Sequence, residues 1–112
     1  MKNDDRTEIE FEESSGNVFA DLGLADADEL LIRAKIGFHV YNLLKARSLK
    51  QREIADLLKI KQPEVSHLMN GHFNRFTTDK LLDFLKRLDR KVTIQISPHK
   101  PGEPYQEVGF VL

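Results

Sequence analysis

The stretch QREIADLLKIKQPEVSHLMNG, residues 51–71, decides the reading of this chain. In Gln51–Lys59 the apolar residues Ile54, Ala55, Leu57 and Leu58 recur at helical intervals, and in Pro63–Asn70 Val65, Leu68 and Met69 do the same. Two short helices joined by a tight turn follow from that spacing. Ala55 carries the geometry: where two helices cross closely, one must offer a short side chain. Val65 and Leu68 fall where the second helix presses back on it. Pro63 suits the first turn of that second helix, since its fixed φ is helical and its missing N–H has no intrahelical partner there. Gly71 ends the helix.

Two helices so spaced make a DNA-binding helix-turn-helix. The residues resemble the Cro/repressor (XRE-type) helix-turn-helix family: Gln51 and Glu53 opening the first helix, Ile54-Ala55, the apolar pair Leu58 and Ile60, then Val65, Ser66, Leu68 and Gly71. Two positions depart from that family. Lys59 stands where it usually has Gly, so a side-chain-bearing residue is expected in the left-handed region at a cost of about 1 kcal/mol. Lys50 replaces the usual Thr or Ser cap.

Working outward, residues 4–13, DDRTEIEFEE, alternate Ile9 and Phe11 with carboxylates and are too charged to form a core alone. Val18, Phe19, Leu22 and Leu24 form an apolar patch expected to dock on the domain. A long helix follows, with Asp26 read as its N-cap and Glu29 three residues on. Leu30, Ala34, Phe38, Tyr41 and Leu44 make one stripe, with Ile36, Val40 and Leu43 beside it. Gly37 costs about 1 kcal/mol relative to Ala in a helix interior, so it marks a close approach or a bend. The helix ends near Lys45–Arg47, and Leu49 plugs the core.

After Gly71, HFNRF reads as a loop, and Thr77 or Thr78 caps a helix whose face is Leu81, Leu82, Phe84, Leu85 and Leu88. Val92-Thr93-Ile94-Gln95-Ile96 alternates as a β-strand does. Pro98, Pro101, Gly102 and Pro104 break the chain, and Val108, Phe110 and Leu112 allow a second strand. The expected fold is mainly α: a Cro/repressor-like helix-turn-helix bundle with a short C-terminal β-strand or hairpin. Residues 1–15 form an acidic flexible arm, 16–98 the domain with its strand at 91–97, and 99–112 a linker and possible strand. A lone strand or hairpin is marginal in water. Pairing Val92, Ile94 and Ile96 with a second copy remedies this, and a dimer also supplies two DNA half-sites about 34 Å apart. A monomer whose hairpin packs on the long helix is the competing arrangement.

The 112 residues suffice for one domain with a modest core. Cysteine is absent, which excludes disulfides and thiolate metal sites and fits a reducing, cytoplasmic, nucleoid-associated setting. No apolar run reads as a signal peptide or membrane span. The net charge of −1 conceals a segregation. Residues 1–30 set ten carboxylates against Lys2 and Arg6, a net of −8, whereas residues 31–100 set fifteen Lys and Arg against six carboxylates, a net of +9. That polarity suits a nucleic-acid binder with a second partner, although two solvated surfaces would show it too.

In a helix-turn-helix the second helix enters the major groove with its N-terminal residues at base edges. Gln62 starts that helix, where related repressors place a base-reading Gln, and its amide can pair with adenine N6 and N7. Ser66 and His67 lie one turn along the same face. Glu64 either accepts from cytosine N4 or, the favoured reading, serves the helix N-terminus. Lys50, Arg52, Lys61, Asn70, Asn74 and Arg75 suit phosphate contacts, which position without reading sequence. Against each stands a bland reading: a solvated cap for Gln62, a surface imidazole for His67, plain solvated charges for the rest.

No Gly-rich phosphate loop, nucleophile elbow or Cys nucleophile points to an enzyme, and none of the four histidines is paired at metal-binding helical spacing. No cofactor or metal is expected. Beyond the motif, Gly16-Asn17-Val18-Phe19-Ala20-Asp21-Leu22-Gly23, Arg75-Phe76-Thr77-Thr78-Asp79-Lys80-Leu81-Leu82 and Val92-Thr93-Ile94-Gln95-Ile96 resemble HigA-like XRE antitoxins. That resemblance implies a bacterial operon in which the protein represses its own promoter, at a palindromic operator, and neutralises a RelE-like ribonuclease toxin. Such toxins are typically basic, so Ile9, Phe11, Val18, Phe19 and Leu22 are the candidate contacts. A stand-alone phage-type or chromosomal repressor, and an interaction module that has lost DNA binding, are the alternatives.

Overall fold

A computed structural model describes Gly23 and residues 26–111, and these residues form four α-helices, a 3₁₀ turn and no β-strand. Helix α1 (Ala27–Arg47) is the longest, and most of the other elements pack along it. Helices α2 (Gln51–Leu58) and α3 (Gln62–Met69) are the motif pair. A 3₁₀ turn (Phe73–Arg75) and α4 (Thr78–Arg87) close the bundle.

Each short helix starts with a device its sequence supplies. At α2 the Lys50 N–H donates to Glu53 Oε1 at 2.7 Å, and at α3 the Lys61 N–H donates to Glu64 Oε1 at 3.1 Å. Neither lysine can accept a bond from its helix, so the carboxylate three residues on supplies half of a capping box. The carboxylates also lie at the positive ends of the helix dipoles. Thr77 caps α4 conventionally, its Oγ1 accepting from the Lys80 N–H at 3.1 Å. Lys59 closes α2 in the left-handed region (φ 59°, ψ 47°), as expected of a residue replacing Gly, and the Ile60 N–H reaches Ala55 O at 3.1 Å.

The core draws on every helix: Ile36, Val40 and Leu44 of α1; Ile54, Ala55 and Leu58 of α2; Val65 and Leu68 of α3; and Leu81, Phe84 and Leu85 of α4, with Leu88 just past its end. The buried stripe of α1 is therefore the Ile36–Val40–Leu44 row, with Phe38 and Tyr41 half-buried at its flank. Leu49 packs against the core. Gly37 is the close approach: a Cβ built on it would lie 2.6 Å from Phe73 Cβ and nearer still to that ring. At that distance the 3₁₀ turn rests directly on α1.

Two expectations are corrected. Asp26 is not a side-chain N-cap; it sits in the left-handed region (φ 55°) with no cap bond from its carboxylate, and only its carbonyl serves the helix, accepting from the Leu30 N–H at 3.0 Å. No strand forms at 91–97 or 106–111. A strand exists through its ladder, and among the described residues nothing pairs with Val92–Ile96. Val92, Ile94 and Ile96 are instead 42%, 75% and 92% exposed. Past the turn at 101–103 the chain folds back on α1: the Tyr105 N–H donates to Asp28 Oδ2 at 3.3 Å, Val108 packs on the core, and Phe110 stacks on His39 at 4.3 Å. The acidic arm and the Val18–Leu24 patch fall on residues 1–22 and 24, outside those described.

Candidate nucleic-acid interface

The packing that buries Val65 and Leu68 leaves the opposite side of α3 outward. Gln62 and Pro63 at its first turn are exposed, Ser66 and His67 are half-buried, and Asn70 just past its end is exposed. Gln62 carries no competing hydrogen bond to another side chain among the described contacts, so its amide is available to a ligand. Glu64 is not equally available, since one carboxylate oxygen is engaged by the Lys61 N–H at 3.1 Å. The helix-terminus reading of Glu64 holds over the cytosine reading.

Ser66 and Asn70 are linked, the Asn70 Nδ2 donating to Ser66 Oγ at 3.3 Å across one turn. His67 lies against His72, ring centroids 5.8 Å apart, while the His72 N–H donates to His67 O at 2.9 Å. Gly71 between them takes φ +83°, which lets the chain reverse out of α3 and bring His72 back beside it. The 3₁₀ turn follows at once. The Arg75 N–H donates to His72 O at 3.2 Å, and Phe73 is buried as its anchor, with Asn74 and Arg75 exposed.

Exposed cations surround this face. Lys50 and Arg52 stand at the start of α2, Lys59 and Lys61 in the turn between the motif helices, and Arg75 beyond α3. Ser66 with Asn70, and His67 with the turn bearing Asn74 and Arg75, are brought together; Lys50 and Arg52 belong to the other motif helix. Lys59 and His72 had not been counted as candidates. In the sequence Lys59 reads only as a strained turn residue, and His72, three residues beyond the end of α3, carries no periodic signal. Val92, Ile94 and Ile96 lie in the exposed C-terminal segment, apart from α3 in sequence, and Ile9, Phe11, Val18, Phe19 and Leu22 lie outside the described residues.

Among the described residues no three His, Asp or Glu side chains cluster to hold a metal ion. No helix among them is long and apolar enough to cross a membrane. Two groups away from the face are perturbed. His39 has its pKa lowered, first by burial and then by the positive charge of Arg90. The Asp83 carboxyl is lowered by the hydrogen bond from Arg87 Nε at 2.8 Å.

A family model for a helix-turn-helix domain matches residues 18–97, most of the chain. The chain belongs to this helix-turn-helix domain family. A helix-turn-helix regulator family implies DNA binding. Among solved structures, one described as an XRE family transcriptional regulator superposes with a TM-score of 0.67 at 26% identity, covering 78% of this chain and 98% of that one. The XRE resemblance of the motif thus extends to the three-dimensional fold. No curated protein matches the sequence.

Proposed function

We propose that this chain is an XRE-type transcriptional repressor that reads a palindromic operator as a homodimer. The observation that carries the reading is the exposed N-terminal turn of α3, with Gln62 free at its start and the exposed cations Lys50, Arg52, Lys59, Lys61 and Arg75 flanking the helix along the chain. Gln62, Ser66 and His67 are the base-reading side chains. Lys50, Arg52, Lys61, Asn70, Asn74 and Arg75 hold phosphates and set the register. The exposed Val92–Ile96 segment, unpaired among the described residues, supplies the dimer contact, edge to edge with its copy. The reading assigns no catalytic step.

Within it the protein is the antitoxin of a type II pair, of the HigA-like kind, and its partner is a basic RelE-like toxin. The net −8 of residues 1–30 supports that choice of partner, with Ile9, Phe11, Val18, Phe19 and Leu22 as contacts. Co-purification with the product of an adjacent gene for a small basic protein tests this, and absence of such a gene favours a stand-alone repressor. The DNA reading is tested by Gln62→Ala in a gel shift. A loss of about 1–3 kcal/mol on the selected site with little change on random DNA is expected. Unchanged operator preference refutes the role of Gln62.

A further inference from the structure

We propose that His72 and Arg75 form a phosphodiester seat at the end of the recognition helix, and that His72, beside His67, makes its hold proton-dependent. This rests on the DNA-binding reading above and adds to it a residue and a regulation. The 3₁₀ geometry provides the seat: side chains three residues apart eclipse in such a turn, and the Arg75 N–H bond to His72 O sets that register. Gly71, His72, Phe73, Asn74 and Arg75 line one open depression there. Phe73 is clamped against Gly37 of α1, so the seat is fixed before any ligand arrives. The donors are an imidazole, a carboxamide and a guanidinium, a set that meets a phosphate's oxygens.

The second imidazole gives the seat its proton dependence. The His67 and His72 rings stand side by side, centroids 5.8 Å apart. A phosphate anion held between His72 and Arg75 favours the charged imidazole, so DNA binding draws in protons. The turn itself carries Arg75, α3 carries Glu64 with its carboxylate held at Lys61, and α1 presents Gly37, Phe38 and Tyr41 toward Phe73 and the adjoining depression. His39 is on another surface, under Phe110. By linkage, a group whose affinity for protons rises on binding strengthens the complex as pH falls and ceases to contribute at high pH.

A phosphate contact carries no sequence information, so the probe is a labelled mixed-sequence duplex of about 30 bp with the full chain, alongside a duplex selected at about pH 8 from a random pool. Affinity for both is expected to rise about tenfold from about pH 8 to about pH 5.5, as one charge-assisted contact is gained. The salt slope should steepen by about one over the same interval. His72→Gln keeps a hydrogen-bond donor without the charge; it should bind as the parent does at high pH and lose the low-pH gain and the extra salt dependence. Specific binding that is equally tight at both pH values, or a gain that survives His67→Gln with His72→Gln, overturns the seat while leaving the repressor reading intact. Absence of specific binding at any pH overturns both.

Discussion

Gly37→Ala adds one methyl group and tests how the interface is braced. In an exposed helix the change would stabilise by about 1 kcal/mol, since Ala is the better helix former. Here the new Cβ meets Phe73 at less than any ordinary contact, 2.6 Å from its Cβ. The neighbour is not the free end of a flexible chain, because Phe73 Cβ is fixed to the turn's backbone. Overpacking costs about 1–3 kcal/mol, and a rigid neighbour places this case in the upper half of that range. The net expectation is a loss of about 1–2 kcal/mol, read as a lower urea midpoint at unchanged slope. In a Phe73→Ala background the ring atoms are gone, so the penalty should shrink by about 1 kcal/mol, a coupling within the range for residues in contact. Because the turn carries His72, Asn74 and Arg75, Gly37→Ala should also weaken DNA binding without touching the DNA face. A variant more stable than the parent, or an equal penalty in both backgrounds, refutes the reasoning.

Three further outcomes follow from other parts of the chain. Lys59→Gly relieves a left-handed residue at φ 59° and should raise stability by about 0.5–1 kcal/mol, seen as a melting point a few degrees higher. His39 has its folded pKa below the unfolded value, so its contribution is fully present above about pH 6.5 and is lost as pH falls through the lower folded value. Denaturation midpoints should therefore fall on acidification, and His39→Gln should flatten part of that fall; an unaltered profile counts against burial as its cause. Ile94→Lys with Ile96→Lys changes two side chains that are 75% and 92% exposed, so the fold should survive while sedimentation shifts from dimer to monomer. A monomeric parent, or a dimeric variant, contradicts pairing through that segment.

The motif was legible because its cause is local. Ala55, Val65 and Leu68 at helical spacing, Pro63 at a first turn and Lys59 where a left-handed residue is needed all act within a few residues of one another. Glu64 could be assigned to its helix end for the same reason. Asp26 misled because acidic residues near a helix start satisfy the sequence pattern of a cap even when the backbone turns left-handed and aims the carboxylate elsewhere. The strand misled because alternation records which residues avoid water, and among the described residues Val92, Ile94 and Ile96 have nothing to pair with. The return of Tyr105, Val108 and Phe110 onto α1 joins residues far apart in the chain, such as Tyr105 with Asp28, and no period announces it. At the site, Gln62 was visible as the first residue of a helix. The nearness of His67 and His72 depends on the reversal at Gly71 and appears only in three dimensions.

The central claim is that α3 reads DNA sequence. The most direct measurement is the affinity of the purified chain for the DNA upstream of its own gene, against a scrambled duplex of equal length, at low and at physiological salt. The account predicts site-specific binding that persists at physiological salt while binding to the scrambled duplex falls away steeply. Equal, weak affinity for both duplexes under both conditions would contradict it.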